Sequence, residues 1–209
     1  MLLRSEALPY VLPVGLAAAA TASAGYELAT LSLALLTAAL GAFFRDPQRE
    51  SDHPPNCILS PADGKVVEVS STENGIEIAI FLSVFNVHVT RSPLAGQLIA
   101  WEHIMGGHAM AFREQASKNA RHRVVIMSPL GKVELSLIAG ALARRVVPFV
   151  IPPKYLERGE RIALIKFGSR AELRLPTGYS SVVSVGGSVR AGKTVIAKAP
   201  EQDNHDSET

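Results

Sequence analysis

The sequence has one cysteine, Cys57, and one tryptophan. A single thiol excludes an internal disulfide and any zinc site built on paired cysteines. Cys57 opens an apolar run with Ile58 and Leu59, so it reads as packed rather than nucleophilic. Net charge is also scarce: 21 Lys and Arg against 19 Asp and Glu leave +2, which gives no sign of a nucleic-acid partner. There is no internal repeat and no spaced set of metal ligands. The acidic residues are unevenly placed. Glu201, Asp203, Asp206 and Glu208 fall in the last nine residues, which contain nothing apolar, so 201–209 reads as a disordered acidic tail. The body before it is more basic than the total suggests. It suits an anionic membrane surface, an anionic substrate, or simply a solvated exterior.

Charge is missing altogether from two apolar stretches at the start, about Leu8 to Ala24 and Leu28 to Phe44, separated by Gly25-Tyr26-Glu27. Each falls short of the ~20 residues of a spanning helix. So short a connection predicts a helical hairpin over residues 1–45 that anchors the chain in a membrane, by spanning it or by dipping into one leaflet. Arg4 before the hairpin and Arg45 and Arg49 after it place both ends, and the rest of the chain, on the cytoplasmic side of the cell membrane. A signal peptide cleaved near Ala22-Ser23-Ala24 is the competing reading.

After Asp46-Pro47 the texture becomes that of strands. Asp63-Gly64, Asn74-Gly75, Gly131 and Phe167-Gly168-Ser169 each lie between two β-rich runs and predict hairpin turns. Only Ala109 to Ala120 has a weak helical pattern. The fold class is α+β, mostly β: the hairpin, then a β-rich domain over 46–200 that closes as a barrel or sandwich.

Residues 187–194, Gly-Ser-Val-Arg-Ala-Gly-Lys-Thr, match every specified position of the phosphate-loop pattern. Such a loop needs a helix behind it, whose first amides hold the anion. Here Val195-Ile196 favours a strand and Pro200 stops it, so Gly192 reads as a turn and Lys193 as a solvated strand end.

Asp63, His88 and Ser188 have the residue types of an activated hydroxyl, in which a carboxylate orients a histidine that takes the serine proton. Each also has a plain reading, as a turn residue, a strand histidine and a loop serine. More specific is an ordered set of segments: Phe43-Phe44-Arg45-Asp46-Pro47, Ser60-Pro61-Ala62-Asp63-Gly64-Lys65, Phe85-Asn86-Val87-His88-Val89, Ala139 to Arg145, Arg161 to Arg170, and Val185-Gly186-Gly187-Ser188-Val189. Taken together, they resemble the phosphatidylserine decarboxylase family in its short prokaryotic form.

The resemblance implies a precursor that cuts itself between Gly187 and Ser188. Asp63 would orient His88, and His88 would activate Ser188. Residues 1–187 would become a large chain, and residue 188 a pyruvoyl group heading a small chain, 188–209, that stays associated with it. No metal is implied. The pyruvoyl ketone would form a Schiff base with the serine amine of a membrane phospholipid and accept the electrons left when carbon dioxide departs, yielding phosphatidylethanolamine. Longer relatives carry a second histidine where this chain has Phe85. His103, His108 and His122 are the candidates to replace it. Arg144 and Arg145 are the expected phosphate contacts, with Lys154, Arg158 and Arg161 as further ones. Two other classes remain open from the residues alone. One is a membrane-anchored serine hydrolase using the same three residues, and the other is a tethered β-rich binding module without activity.

Overall fold

The computed structural model describes residues 2–3, 5–107, 119–138, 145–166 and 169–200. The chain divides into two compact units, one of Met1–Gln48 with Phe85–Val87 and one of Arg49–Val84 with His88–Thr209.

The first unit is built on helices α1 (Leu8–Ser23) and α2 (Glu27–Phe43). Ala-rich sequence lets them approach, with Gly15 against Thr37, and Thr30 Oγ1 donates to Thr21 Oγ1 across the pair at 3.0 Å. Arg45 donates to the carbonyl of Ala42 at the end of α2, where the helix dipole favours a cation, and to the carbonyl of Phe85. Short strands β1 (Leu2–Leu3) and β2 (Arg45–Asp46) pair antiparallel. At 16 and 17 residues the helices reach about 24–26 Å at 1.5 Å per residue. Among the described residues no helix is long and apolar enough to cross a membrane. The helices are apolar on every side, with Leu12, Leu16, Leu28, Leu31 and Leu35 all exposed.

The second unit is β-rich. Its strands are β3 (Cys57–Leu59), β4 (Gly64–Thr72), β5 (Gly75–Leu82), β6 (Val89–Arg91), β7 (Gly96–Ile104), β8 (Arg121–Ser128), β9 (Gly131–Ile138), β10 (Val146–Pro148), β11 (Lys154–Leu156), β12 (Arg161–Ile165), β13 (Ser169–Leu175), β14 (Ser180–Ser181), β15 (Ser188–Val189) and β16 (Val195–Lys198). One large sheet runs β11-β7-β8-β9-β13-β5-β4-β15 and is open at both ends; β10-β12-β6 and β14-β16-β3 form two smaller sheets. Of the predicted turns, Asn74-Gly75 joins the paired strands β4 and β5, and Gly131 joins β8 and β9. Asp63-Gly64 is not a hairpin turn. The strands it separates belong to different sheets, because β3 pairs with β16 while β4 pairs with β5 and β15. Likewise β12 and β13 lie in different sheets. The helical reading of 109–120 and the acidic tail 201–209 lie, except for residues 119 and 120, outside the described residues.

Side chains alternate across the large sheet with the strand period of two. One face carries Val66, Ile78, Ile80, Leu135, Leu137, Ala171 and Leu173, which form the core with Ile58, Ile162, Ile196 and Ala197 of the smaller sheets. The other face carries charge. Arg170 bonds Glu68 and Glu172, Arg174 bonds Glu77, and Arg123 bonds Glu134 and Glu102. The Arg123 guanidinium holds the Glu134 carboxyl down to about 2. A depressed carboxyl stabilises the fold above its unfolded pKa, near 4.3, and loses that contribution as pH falls toward the folded value. Urea unfolding midpoints of wild type should therefore drop between about pH 4.3 and pH 2, and Glu134→Gln should flatten that slope. An unchanged slope in the variant would show that the pair contributes nothing there.

Candidate active site

The segment around Ser188 begins with a tight turn. Gly187 N–H donates to Ser184 O at 3.1 Å, and Gly186 at the third position has φ +89°. That region is open to glycine and strained for other residues, which accounts for Gly186. The chain then enters β15 at the edge of the large sheet. Gly186 N–H donates to Val66 O at 2.8 Å and Val66 N–H donates to Gly187 O at 2.9 Å. Ser188 sits opposite Lys65, and Val189 opposite Gly64. Gly64 is fixed by close approach, since a Cβ there would lie 2.0 Å from the Phe81 carbonyl oxygen. The alternation leaves Ser188 exposed and Val189 buried.

Asp63 is buried immediately before β4. Its Oδ1 accepts from Arg49 Nη1 and from Ala191 N–H (2.8 Å), and its Oδ2 accepts from Arg49 Nη2 at 2.8 Å. Arg49 also donates to Ala191 O at 2.7 Å. The same loop holds the following residues: Gly192 N–H donates to Ser60 O, and Ser60 N–H to Thr194 O, each at 2.8 Å. The 60–63 loop thus clamps the chain just beyond Ser188. Val195 follows in strand β16 rather than in a helix, so the phosphate-loop match has no helix N-terminus to serve it.

His88 is fully buried just before β6, its carbonyl accepting from Ile165 N–H at 3.0 Å. None of the Asp63 carboxylate bonds goes to His88. The structure therefore brings Asp63 to the Ser188 segment through Arg49 and Ala191, not through the histidine. His103 and His122 are opposite each other on β7 and β8, with ring centroids 4.8 Å apart. Trp101 Nε1 donates to His122 Nδ1 at 3.0 Å, and burial together with His103 lowers the His122 pKa. Along the large sheet β8 lies five strands from β15. His108 and Arg144 lie outside the described residues. Arg145 is exposed. Lys154 is engaged by Glu160, and Arg158 by the carbonyls of His53 and Pro54; Arg161 begins β12. Cys57 is buried in β3, as its apolar context suggested. No group of three or more His, Cys, Asp or Glu able to hold a metal occurs among the described residues.

Sequence reasoning missed Arg49, which it treated only as flanking charge, and Lys65, the cross-strand neighbour of Ser188. It also missed His53, whose Nε2 lies 3.1 Å from Lys193 O. The pairing of β4 with β15 joins residues far apart in the chain, and no local pattern signals it.

Residues 36–197 match the sequence model of the phosphatidylserine decarboxylase family. The chain is 42% identical to the phosphatidylserine decarboxylase proenzyme of Streptomyces griseus over 90% of this chain and 89% of that protein. It is 37% identical to that of Erythrobacter litoralis over 94% and 87%, and 40% identical to that of Burkholderia cenocepacia over 75% and 77%.

Proposed function

The chain belongs to the phosphatidylserine decarboxylase family, and on that premise we propose that it cuts itself between Gly187 and Ser188 and then decarboxylates phosphatidylserine to phosphatidylethanolamine at residue 188. The observation that carries the reading is the exposed Ser188 hydroxyl directly after the Gly186-Gly187 turn, with the chain on both sides hydrogen-bonded in place.

In the cut, Ser188 Oγ gives its proton to a base and bonds the Gly187 carbonyl carbon. The Gly187–Ser188 C–N bond then breaks and the nitrogen takes a proton, leaving an ester and a free amine. Loss of the residue 188 α-proton expels the Gly187 carboxylate from Cβ. Tautomerisation, addition of water and release of ammonia leave the ketone. His88 is the proposed base and Asp63 the carboxylate that supports it. In the structure the Asp63 carboxylate accepts from Arg49 and Ala191, so its support of His88 belongs to the reactive arrangement. Catalytic hydrogen bonds often tighten only in that arrangement.

A pyruvoyl group at 188 supplies an electrophilic carbonyl that takes the substrate's amine and accepts electrons as carbon dioxide leaves. The residues around it fit that task. Position 188 is open to a bulky lipid, while Val189, Ala191, Ile196 and Ala197 are buried and hold the new chain end. The pairing of β15 with β4 and of β16 with β3 supports a small chain, 188–209, that stays with the large chain after the cut. No metal takes part in this scheme. Arg144 and Arg145 are the proposed phosphate contacts.

The apolar, exposed surface of α1 and α2 supports residues 1–45 as a membrane anchor, lying shallowly with the β-rich domain 46–200 on the cytoplasmic side. Protein lacking 1–45 should lose most vesicle binding and turn over bilayer phosphatidylserine at least tenfold more slowly while still cutting itself. Vesicle flotation and carbon dioxide release check this, and unchanged binding and turnover would rule out the anchor. For the function itself, purified protein is incubated with phosphatidylserine vesicles. Phosphatidylethanolamine should accumulate; hydrolysed lipid instead would favour a serine hydrolase.

A further inference from the structure

Self-cleavage places a negative charge on one particular atom. As Ser188 Oγ bonds the Gly187 carbon, the π electrons of that carbonyl move onto its oxygen. In the uncut chain that oxygen already accepts from the Val66 N–H at 2.9 Å, and a donor held beside the place where the oxyanion forms can stabilise it. We propose that the Val66 N–H is the electrophilic group of the cut, holding the Gly187 oxygen and taking its charge; this rests on the processing reading above.

Three features of the chain prepare the donor. A β-bulge interrupts the β4–β5 register between Val66 and Glu68. Bulges re-aim backbone groups beside reactive sites. Here both polar groups of Val66 face the turn, its N–H on Gly187 O and its C=O on Gly186 N–H at 2.8 Å. That second bond holds the Val185–Gly186 peptide, and the Gly187 N–H bond to Ser184 O at 3.1 Å holds the Gly186–Gly187 peptide next to the scissile one, so the turn is fixed on both sides of Gly186. The Val66 side chain is 1% exposed, which fixes β4 by packing. A donor already oriented and partly shielded from water stabilises developing charge without reorganising. The carbonyl oxygen is held along the sheet, and a strand side chain stands roughly perpendicular to it. Attack by Ser188 Oγ from above the carbonyl plane is compatible with that arrangement.

An ordinary ladder bond would have the same length, so the test must separate rate from stability. Full-length precursor is made by cell-free translation with α-hydroxyisovalerate in place of Val66, which replaces the N–H by oxygen and leaves the side chain intact. The same replacement at Val69, also on β4, is the control. Cleavage is followed by mass spectrometry and folding by thermal melting. The Val66 ester should cut about 10²–10³-fold more slowly than wild type, the cost typical of one lost oxyanion donor, while the Val69 ester cuts within a few-fold. A Val66 ester that melts with the control and cuts at the wild-type rate overturns the proposal. If that ester does not fold, the uncut Ser188→Ala precursor decides. Through-bond nuclear coupling from the Val66 nitrogen to the Gly187 carbonyl carbon is expected, and its absence overturns the assignment. A wild-type chain that stays whole would instead remove the processing reading itself.

Discussion

Ser188→Ala leaves a single 209-residue chain that never separates into two and releases no carbon dioxide from phosphatidylserine. The variant removes the oxygen that must bond the Gly187 carbon, and with it the only route to a ketone at residue 188. Ser188 is exposed on edge strand β15, so losing its hydroxyl leaves no cavity and no stranded partner, and the fold should keep its stability within about 0.5 kcal/mol of wild type. The absence of cutting would then belong to the chemistry. His88→Ala should also leave an uncut chain. A general base contributes about 10²–10⁴-fold, enough to move processing from minutes to days. His88 is fully buried, so its variant needs a melting curve beside the cleavage time course. Normal cutting by folded His88→Ala would pass the role of base to another group, and His53, whose Nε2 lies 3.1 Å from Lys193 O, would be the next histidine to replace. Normal cutting without carbon dioxide release would confine His88 to the second stage.

Asp63→Ala should be costly for a reason the residue type alone does not disclose. Its carboxylate accepts two bonds from Arg49 and one from Ala191 N–H, and both side chains of the ion pair are nearly buried, at 8% and 11% exposure. Removing the acid strands a buried guanidinium and an amide together. Breaking a buried pair from one side typically costs about 3–5 kcal/mol. Arg49→Ala should cost a similar amount, and the double variant less than the sum, because neither charge is left alone. Cutting should slow in each, since the clamp holds the chain beyond Ser188. Chemical denaturation and cleavage time courses of the three variants check this. Additive losses would show that the two residues act independently, and wild-type stability in Asp63→Ala would dissolve the clamp.

Much of the fold was legible because alternation is local. The runs at Val66–Val69, Ile76–Ile80, Val124–Met127, Val133–Leu137 and Ala171–Leu175 became strands of one sheet, with Val66, Ile78, Ile80, Val124, Ile126, Leu135, Leu137 and Leu173 in one core. The apolar helices of the hairpin were legible for the same reason. The turn at Asp63-Gly64 misled because Asp-Gly specifies a bend and not which strands the bend connects. Here the strands on either side enter different sheets, and the pairing of β4 with β15 spans more than a hundred residues of chain. The site was legible in its residue types and in the order of its segments. The partner of Asp63 was not, since the pairing with Arg49 depends on a carboxylate buried between two distant segments.

The most direct test of the account is the intact mass of the purified wild-type protein under denaturing conditions. Two chains should appear, one ending at Gly187 and one beginning at residue 188, the small chain having a blocked N-terminus that reacts with a carbonyl reagent. A single unbroken chain that still converts phosphatidylserine to phosphatidylethanolamine would contradict it.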